Sequence, residues 1–283
     1  AGVFAGDPEQ LSVQAAFPKL YALEKNYGGL IRGQILGARD RKKRGDKAKD
    51  RARMFSFKNG MQTLPDSIAK ALGASIRTNV SVVRIDGSKS SNGTSNSYEI
   101  HGTENGRVFG ITCNSVILAI PSFHAAGLIE PFDVSVAQCL KKICYPPVAE
   151  LFLGFRRQDV GRPLDGFGFL VPAKEQRKIL GTIWSSTIFP GRSPAGTVAL
   201  TTFVGGSRQP ELVQKSDAEL IDMVTRELHE LMHVSGLPIY SKVTRWDRAI
   251  PQYQLAHLSI MEQIGKFEQQ HQGIFLTGNY RGG

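Results

Sequence analysis

Alternation of apolar and polar residues is clearest between positions 164 and 206, where it predicts three strands. We expect them at Asp165–Pro172, Ile179–Ser186 and Thr197–Gly206, separated by connections that contain proline and glycine. Because side chains alternate between the faces of a strand, each strand divides into two sets. The bulky set, which we expect to be buried core, comprises Phe167, Phe169, Val171, Leu180, Trp184, Val198, Leu200 and Val204.

The opposite face of these strands consists mostly of small residues. Its members are Gly166, Gly168, Leu170, Gly181, Ile183, Ser185, Ala199, Thr201 and Phe203. The large apolar residues of this face are Leu170, Ile183 and Phe203, and they project beyond the small side chains around them. Such a face leaves room for a broad, flat, apolar ligand, but a helix packed on the sheet would produce the same pattern. The pattern alone leaves both interpretations open.

The remaining chain mixes helical and strand patterns. Helices are predicted as an interrupted region between Leu11 and Ile35, divided at Pro18 and Gly28, and then at Leu64–Gly73, His124–Leu128, Val134–Lys142, Asp217–Val234 and about Leu255–Gln270. Strands are predicted at Ala74–Asp86, Tyr98–Ile100, Arg107–Thr112, Ser115–Ala119, Val148–Arg156, Tyr240–Asp247 and Gly273–Leu276, with a hairpin tip at 88–97. The pattern indicates a mixed α and β protein with two sheets.

Charge is concentrated in one short segment. The 283 residues carry a formal charge of +10, and residues 39–53 alone hold nine Lys or Arg against three Asp, a net +6. We interpret the segment as a solvated loop, with contact to anionic lipid or an acidic substrate as the functional alternative. Nucleic acid is not an expected partner, because the segment has no interleaved aromatic residues and no binding motif follows it.

The cysteines and the chain ends limit the class further. Cys113, Cys139 and Cys144 show no CxxC pairing, which favours reduced thiols. From the first residues we expect no signal peptide, and no run approaches the length of a membrane span. We expect both ends to be cuts within a longer protein.

One apparent metal motif fails on inspection. His229, Glu230 and His233 match HExxH, whose zinc chemistry needs both imidazoles on one helix face and a third ligand. The third histidine position of the longer form of that motif is Ile239. Helical spacing also places the two histidines on the polar face, and we expect Gly236 to cap the helix. We therefore expect no metal site.

Other motifs of enzymatic chemistry are missing from the sequence. There is no GxGxxG, because Val171 stands where the last glycine of GFGFLV would be, and there is no P-loop or GxSxG element. No nucleophile or acid–base pair is recognisable. The lack of a recognisable nucleophile or acid–base pair is expected when a redox cofactor performs the reaction.

Eight segments resemble the oxygen-dependent protoporphyrinogen oxidases of the flavin amine oxidase superfamily. They are GVFAGDPEQLS (2–12), YGGLIRGQ (27–34), FSFKNGMQTLPDSIAKAL (55–72), GFGFLVP (166–172), ILGTIWSSTIFPGR (179–192), TTFVGGSR (201–208), RWDRAIPQYQLAH (245–257) and FLTGNYRGG (275–283). They occur in family order and cover nearly the whole chain. One departure is Ala256, where the family usually has glycine, and we expect only a local packing change from it.

The resemblance implies an α/β FAD/NAD(P)-binding fold of the flavin amine oxidase type with an antiparallel-sheet substrate domain. The implied boundaries are 1–54 for part of a helical domain, 55–125 for a segment of the FAD domain, 126–245 for the substrate-binding domain and 246–283 for the return to the FAD domain. The family's N-terminal Rossmann unit and its C-terminal FAD segment would lie outside this chain. We therefore expect the chain alone to bind FAD weakly or not at all.

The resemblance also assigns site residues. Val82 matches the valine whose backbone meets the FAD adenine, and Asn279 matches a position beside the flavin and its ribityl chain. Without the family, the first would be read as a core valine and the second as a turn residue. Leu170, Ile183 and Phe203, with Gly168 beside them, match residues that sandwich the substrate in relatives. The three apolar residues are those that the strand pattern singled out independently.

The implied activity is the six-electron oxidation of protoporphyrinogen IX to protoporphyrin IX with FAD and dioxygen, in haem biosynthesis. No catalytic side chain is expected, because the flavin performs the reaction. Attachment to a peripheral membrane surface and assembly into a homodimer are both compatible with this implied enzyme. The implied location is the cytoplasm or the cytoplasmic side of the inner membrane in a bacterium, and an organelle membrane in a eukaryote.

Two alternatives remain open. One is a related flavin oxidase of the amine oxidase or carotenoid desaturase type, for which an aromatic cage facing the flavin would favour the amine oxidase. The other is a catalytically inactive segment that binds a macrocycle.

Overall fold

The computed structural model describes residues 4–43, 55–89 and 96–282. The chain divides into two units. The first unit comprises Ala1–Leu11 and Cys144–Gln252, and the second comprises Ser12–Ile143 and Tyr253–Gly283. The first unit contains one sheet and the second contains two, and each unit has buried side chains of its own.

The regular elements cover most of the described residues. The helices are α1 (Val13–Ala16), α2 (Pro18–Tyr27), α3 (Leu30–Lys43), α4 (Thr63–Leu72), α5 (Ser122–Ile129), α6 (Val134–Lys141), α7 (Ser185–Ile188), α8 (Asp217–Met232) and α9 (His257–Gln270). The strands are β1 (Val80–Lys89), β2 (Asn96–Glu104), β3 (Arg107–Cys113), β4 (Val116–Leu118), β5 (Val148–Arg156), β6 (Gly168–Leu170), β7 (Gly181–Ile183), β8 (Thr197–Gly205), β9 (Tyr240–Trp246) and β10 (Ile274–Leu276).

Many of these elements confirm the sequence pattern. The predicted bounds of β5 agree with the structure, and Pro18 separates α1 from α2 as expected. Gly28 ends α2 in the left-handed conformation, at φ 76°. Residues 90–95 of the predicted hairpin tip lie outside the described residues, and β1 and β2 pair antiparallel on either side of them.

The first unit is built on one antiparallel sheet. Its strands follow the order β6-β7-β8-β5-β9. One face of this sheet packs with the apolar stripe of α8 in a buried cluster. The members with the least exposure include Leu151, Leu153, Phe155, Leu200, Val204, Leu220, Val224, Leu228 and Met232. The face predicted to be bulky is therefore the core face.

Two of the predicted strands are shorter in the structure. β6 and β7 span three residues each, because Pro172 has no N–H to continue the ladder and α7 begins after Trp184. Phe167 lies before β6 and is 54% exposed, so its assignment to the core was wrong. The other seven predicted core residues are buried or partly buried against the core cluster or a neighbouring one.

Helix α8 begins and ends at specific side chains. Ser216 and Glu219 form a reciprocal capping box at its first turn, which satisfies backbone N–H groups that have no helical partner. The helix ends at His233, which adopts the left-handed conformation at φ 54°. The prediction that Gly236 caps the helix was therefore wrong, although Gly236 also has a positive φ.

The second unit contains two sheets. β1, β2 and β3 form an antiparallel sheet in sequence order, and β4 and β10 pair parallel. A parallel pair requires a long connection, here supplied by the chain between residues 118 and 274. Helices α5, α6 and α9 contribute buried apolar residues to this unit.

The basic segment begins as a helix and not as a loop. α3 continues past the predicted end at Ile35 to Lys43, so positions 39–43 are helical. Residues 44–54 of the segment lie outside the described residues. Arg, Lys and Ala are good helix formers, which explains why the helix extends into the charged sequence.

Candidate functional site

The six predicted site residues fall in different units. Gly168, Leu170, Ile183 and Phe203, called here the platform, belong to the first unit. Val82 and Asn279 belong to the second unit. Contact of these residues with a substrate or a cofactor stays a prediction.

The strand register brings the platform residues together. Leu170 pairs with Gly181, and Gly181 pairs with Phe203, so these three residues form one row across β6, β7 and β8. Gly168 and Ile183 are partners in the adjacent row. Residues that are directly paired project to the same face of a sheet. The platform residues therefore share one face, as the alternation of the sequence predicts.

The platform lies on the face opposite the core. Leu170 is 64% exposed, and Ile183 and Phe203 are half-buried. The described residues leave most of the Leu170 side chain uncovered, which favours a ligand surface over a packed helix. Two glycines of this face cannot be replaced by residues with side chains without displacing the backbone. A Cβ on Gly181 would lie 2.5 Å from the Phe169 carbonyl oxygen, and one on Gly168 would lie 2.1 Å from the Thr182 carbonyl oxygen.

A carboxylate extends the row of Leu170 and Phe203 on β5. Glu150 is the register partner of both Phe203 and Thr244 and is half-buried. Burial raises the pKa of the Glu150 carboxyl, and the charge of Lys242 opposes that shift. The sequence analysis missed Glu150, because its proximity to the platform depends on the pairing of β5 with β8.

Val82 lies on an edge strand of the second unit. β1 is the first strand in the order β1-β2-β3, and its register shifts between Val82 and Arg84. The Val82 side chain is 40% exposed, so it is not an ordinary core valine. An edge strand has backbone N–H and C=O groups that can bind a ligand, and a bulge re-aims them locally. This geometry fits a role in binding a purine.

Asn279 follows the parallel strands. It lies after the carboxyl end of β10, next to the carboxyl end of β4, where the Thr277 amide donates to the Leu118 carbonyl at 3.0 Å. Gly278 precedes it at φ 133°, in a conformation that favours glycine. Open α/β sheets bind their ligands outside the carboxyl ends of the strands. The exposed Asn279 therefore lies at the kind of sheet edge where such ligands bind, and its contact with a flavin stays a prediction.

Two further residues support this turn and were missed from the sequence. The Tyr253 hydroxyl donates to the Asn279 carbonyl oxygen. The rings of Tyr253 and His257 lie 4.6 Å apart. Burial lowers the pKa of His257, and a hydrogen bond with the Tyr280 backbone opposes the shift. The edge strand, the turn and its supports are compatible with FAD.

The HExxH segment does not resemble a zinc site. His229 and His233 are exposed, and His233 lies beyond the end of α8. Glu230, which would have to act as the base, is bound to Arg177. Across the described ranges, no group of three or more His, Cys, Asp or Glu is arranged to hold a metal ion.

No helix within the described part of the chain is both long enough and apolar enough to cross a membrane.

Comparison with known sequences gives a family match along the whole chain. The model of the flavin containing amine oxidoreductases matches residues 1–283. The chain is 35% identical to the mitochondrial protoporphyrinogen oxidase of Nicotiana tabacum, over 100% of the chain and 59% of that protein. It is 36% identical to protoporphyrinogen oxidase 2 of Arabidopsis thaliana, over 100% of the chain and 58% of that protein. The coproporphyrinogen III oxidase of Bacillus subtilis is 27% identical, over 98% of the chain and 57% of that protein.

Solved structures show the same fold. A crystallised candidate protoporphyrinogen oxidase of Exiguobacterium sp. 255-15 superposes with a TM-score of 0.75 at 20% identity, over 99% of this chain and 56% of that chain. Cyclohexylamine oxidase of Brevibacterium oxydans superposes with a TM-score of 0.56 at 15% identity, over 78% of this chain and 47% of that chain. These likenesses confirm the expected fold class.

The comparisons also bear on the resemblance and the cofactor. The motif resemblance to protoporphyrinogen oxidases is confirmed by the named relatives, and the family match confirms a flavin cofactor, FAD. The chain spans just under three fifths of the length of these curated relatives.

Proposed function

Because the chain belongs to the family of flavin containing amine oxidoreductases, we propose that its protein is an FAD-dependent oxidase of protoporphyrinogen IX. The product would be protoporphyrin IX, in tetrapyrrole biosynthesis. The relatives named as protoporphyrinogen oxidases support this substrate, since several are more than 30% identical over the whole chain.

One observation carries the proposal. Three of the four residues that the resemblance assigns to the substrate, Leu170, Ile183 and Phe203, are apolar and project from the face of the first unit's sheet that lies opposite the core. Leu170 and Phe203 lie in the same row with Gly181 between them, so the surface between the two side chains is low and apolar. A planar macrocycle buries a large apolar area against such a surface.

The residues of this chain would bind and orient. FAD, when bound, would supply the redox chemistry, namely hydride acceptance from the substrate with dioxygen as the final oxidant. The platform would hold the macrocycle at a fixed angle and exclude water from one of its faces. In the second unit, the Val82 backbone would bind the adenine, and the turn at Asn279 would lie beside the flavin. The two units would thus be the substrate and FAD domains.

Peripheral attachment to a membrane is part of the proposal. Helices α2 and α3 carry exposed apolar side chains, among them Leu20, Ile31 and Ile35, and the basic segment 39–53 overlaps the end of α3. Apolar side chains beside clustered Lys and Arg favour the surface of an anionic bilayer. In sedimentation with vesicles, the protein should bind to vesicles of anionic lipid and not to those of neutral lipid, and about 0.5 M salt should weaken this binding. Equal recovery of the protein with both kinds of vesicle would contradict the proposed membrane attachment.

The proposed activity is tested with the natural full-length protein. Oxygen-dependent growth of porphyrin fluorescence from protoporphyrinogen IX is measured with and without FAD, and coproporphyrinogen III is run in parallel. Replacing Leu170 with Asp should lower the signal, because a carboxylate would have to be desolvated against an apolar ring. Flavin bound without turnover of either substrate would refute the proposal and favour a related flavin oxidase, to be assayed with primary amines.

A further inference from the structure

A cleft of about 490 Å³ opens beside the platform, within the first unit. Three segments of chain line it: residues 6–8, 170–173 and 207–208. Leu170 belongs both to this cleft and to the platform. A ligand that lies on the platform can therefore extend a side arm into the cleft.

Backbone hydrogen bonds hold the walls of the cleft. The Ser207 amide donates to the Ala5 carbonyl oxygen at 2.8 Å, and the Gly206 amide donates to the Pro147 carbonyl oxygen at 2.7 Å. Gly206 has φ +67°, and a Cβ there would lie 2.3 Å from the Ala5 carbonyl oxygen. The close approach of the two walls thus depends on a glycine, and the cleft is a formed feature of the fold.

Arg208 has an unused donor in this wall. Its Nη2 donates to the Val171 carbonyl oxygen at 3.1 Å, which fixes the guanidinium. Its Nη1 is buried and has no hydrogen-bond partner among the described residues. Buried polar groups are nearly always hydrogen-bonded, and an unpaired cationic donor is unfavourable. An anionic acceptor in the cleft would satisfy it.

One carboxylate belongs to another segment of the lining. Asp7 lines the cleft, and its Oδ1 accepts the Glu9 amide at 3.0 Å. Within the described residues Asp7 and Arg208 form no ion pair with each other. Asp7 is therefore engaged with the backbone of its own turn, and the guanidinium keeps its charge available for a ligand.

We propose that this cleft is a carboxylate subsite, in which Arg208 binds one propionate arm of the tetrapyrrole. The inference rests on the proposed function, since it requires a macrocycle on the platform. A guanidinium that is already fixed by one hydrogen bond is suited to a carboxylate, because its geometry needs little further ordering. The apolar remainder of the cleft accommodates the methylene groups of the arm.

The test compares an acid with its ester in the full-length holoenzyme. The variants are Arg208→Ala, Arg208→Lys and, as a charge-matched control, Arg226→Ala, whose guanidinium is exposed on α8 and pairs with Asp222. Steady-state rates are measured with protoporphyrinogen IX and with its dimethyl ester. We expect Arg208→Ala to raise KM for the acid about tenfold or more, with a smaller rise for Arg208→Lys. KM for the ester should not change.

The outcomes separate the subsite from the activity. If KM for the acid is the same in Arg208→Ala as in Arg226→Ala, the subsite is refuted and the proposed function stands. If Arg208→Ala does not fold, Arg208→Lys decides, because it keeps the charge and can still donate to Val171. If the wild type oxidises neither compound, the proposed function fails. Fluorescence titration with protoporphyrin IX and its dimethyl ester then tests the subsite. The subsite is supported if Arg208→Ala weakens binding of the acid and not of the ester, and it is refuted otherwise.

Discussion

Leu170 offers the sharpest test of the platform, because binding and stability should respond differently. Its side chain is 64% exposed, so truncation to alanine removes few contacts within the protein. Burying a whole leucine contributes about 1.5–3 kcal/mol. The exposed fraction left for a ligand to cover therefore amounts to about 1–2 kcal/mol, which is about a 5- to 30-fold change in affinity.

Leu170→Ala in the full-length protein should raise KM for the tetrapyrrole by that factor. The free energy of unfolding should change by less than about 0.5 kcal/mol, as for other exposed positions. Leu237→Ala is the matched control, because Leu237 is 80% exposed in the same unit and outside the platform. The rates and denaturant melts of all three proteins are compared. An unchanged KM in Leu170→Ala, or a large loss of its stability, would show that Leu170 is not a ligand surface.

Three further predictions concern stability and metal. Burial lowers the pKa of His257, which is 4% exposed, so the unfolded state binds its proton first as the pH falls below about 6.5. Denaturant melts should therefore show stability falling by up to about 1.4 kcal/mol per pH unit in that range, and His257→Gln should reduce the slope. Gly206→Ala should destabilise the protein by more than about 1 kcal/mol, whereas Gly265→Ala, which meets open space in α9, should be neutral or stabilising; equal melting temperatures would contradict this. Treatment with EDTA, or His229→Gln, should leave oxidase activity within about twofold of the untreated enzyme, because His229 is exposed and Glu230 is bound to Arg177.

The sequence was informative wherever structure depends on neighbours along the chain. Alternation within 197–205 set which side chains of β8 face the core, and the stripe of α8 set which face of the helix is buried. Pro18 and Gly28 marked helix boundaries, because one lacks an N–H and the other adopts positive φ. The shared face of the platform was predictable for the same reason.

Local pattern failed at the ends of elements. The strands around Gly168 and Gly181 stop early, because pairing depends on the neighbouring strand and on Pro172, not on alternation alone. α3 extends into the basic segment, since the helix propensity of Lys, Arg and Ala outweighs the charge pattern that suggested a loop. Gly236 looked like a helix cap, but the helix had already ended at His233.

The composition of the candidate sites was decided by tertiary structure. Arg208 and Asp7 line one cleft although about two hundred positions separate them in sequence, and Tyr253 supports the turn of Asn279 from another segment. Such neighbours are fixed by strand register and by the paths of connecting loops, which no periodicity encodes. The sequence by itself therefore determined which residues face outward from the sheet. Only the folded chain determined that a guanidinium with one nitrogen unpartnered among the described residues, Nη1 of Arg208, lies beside them.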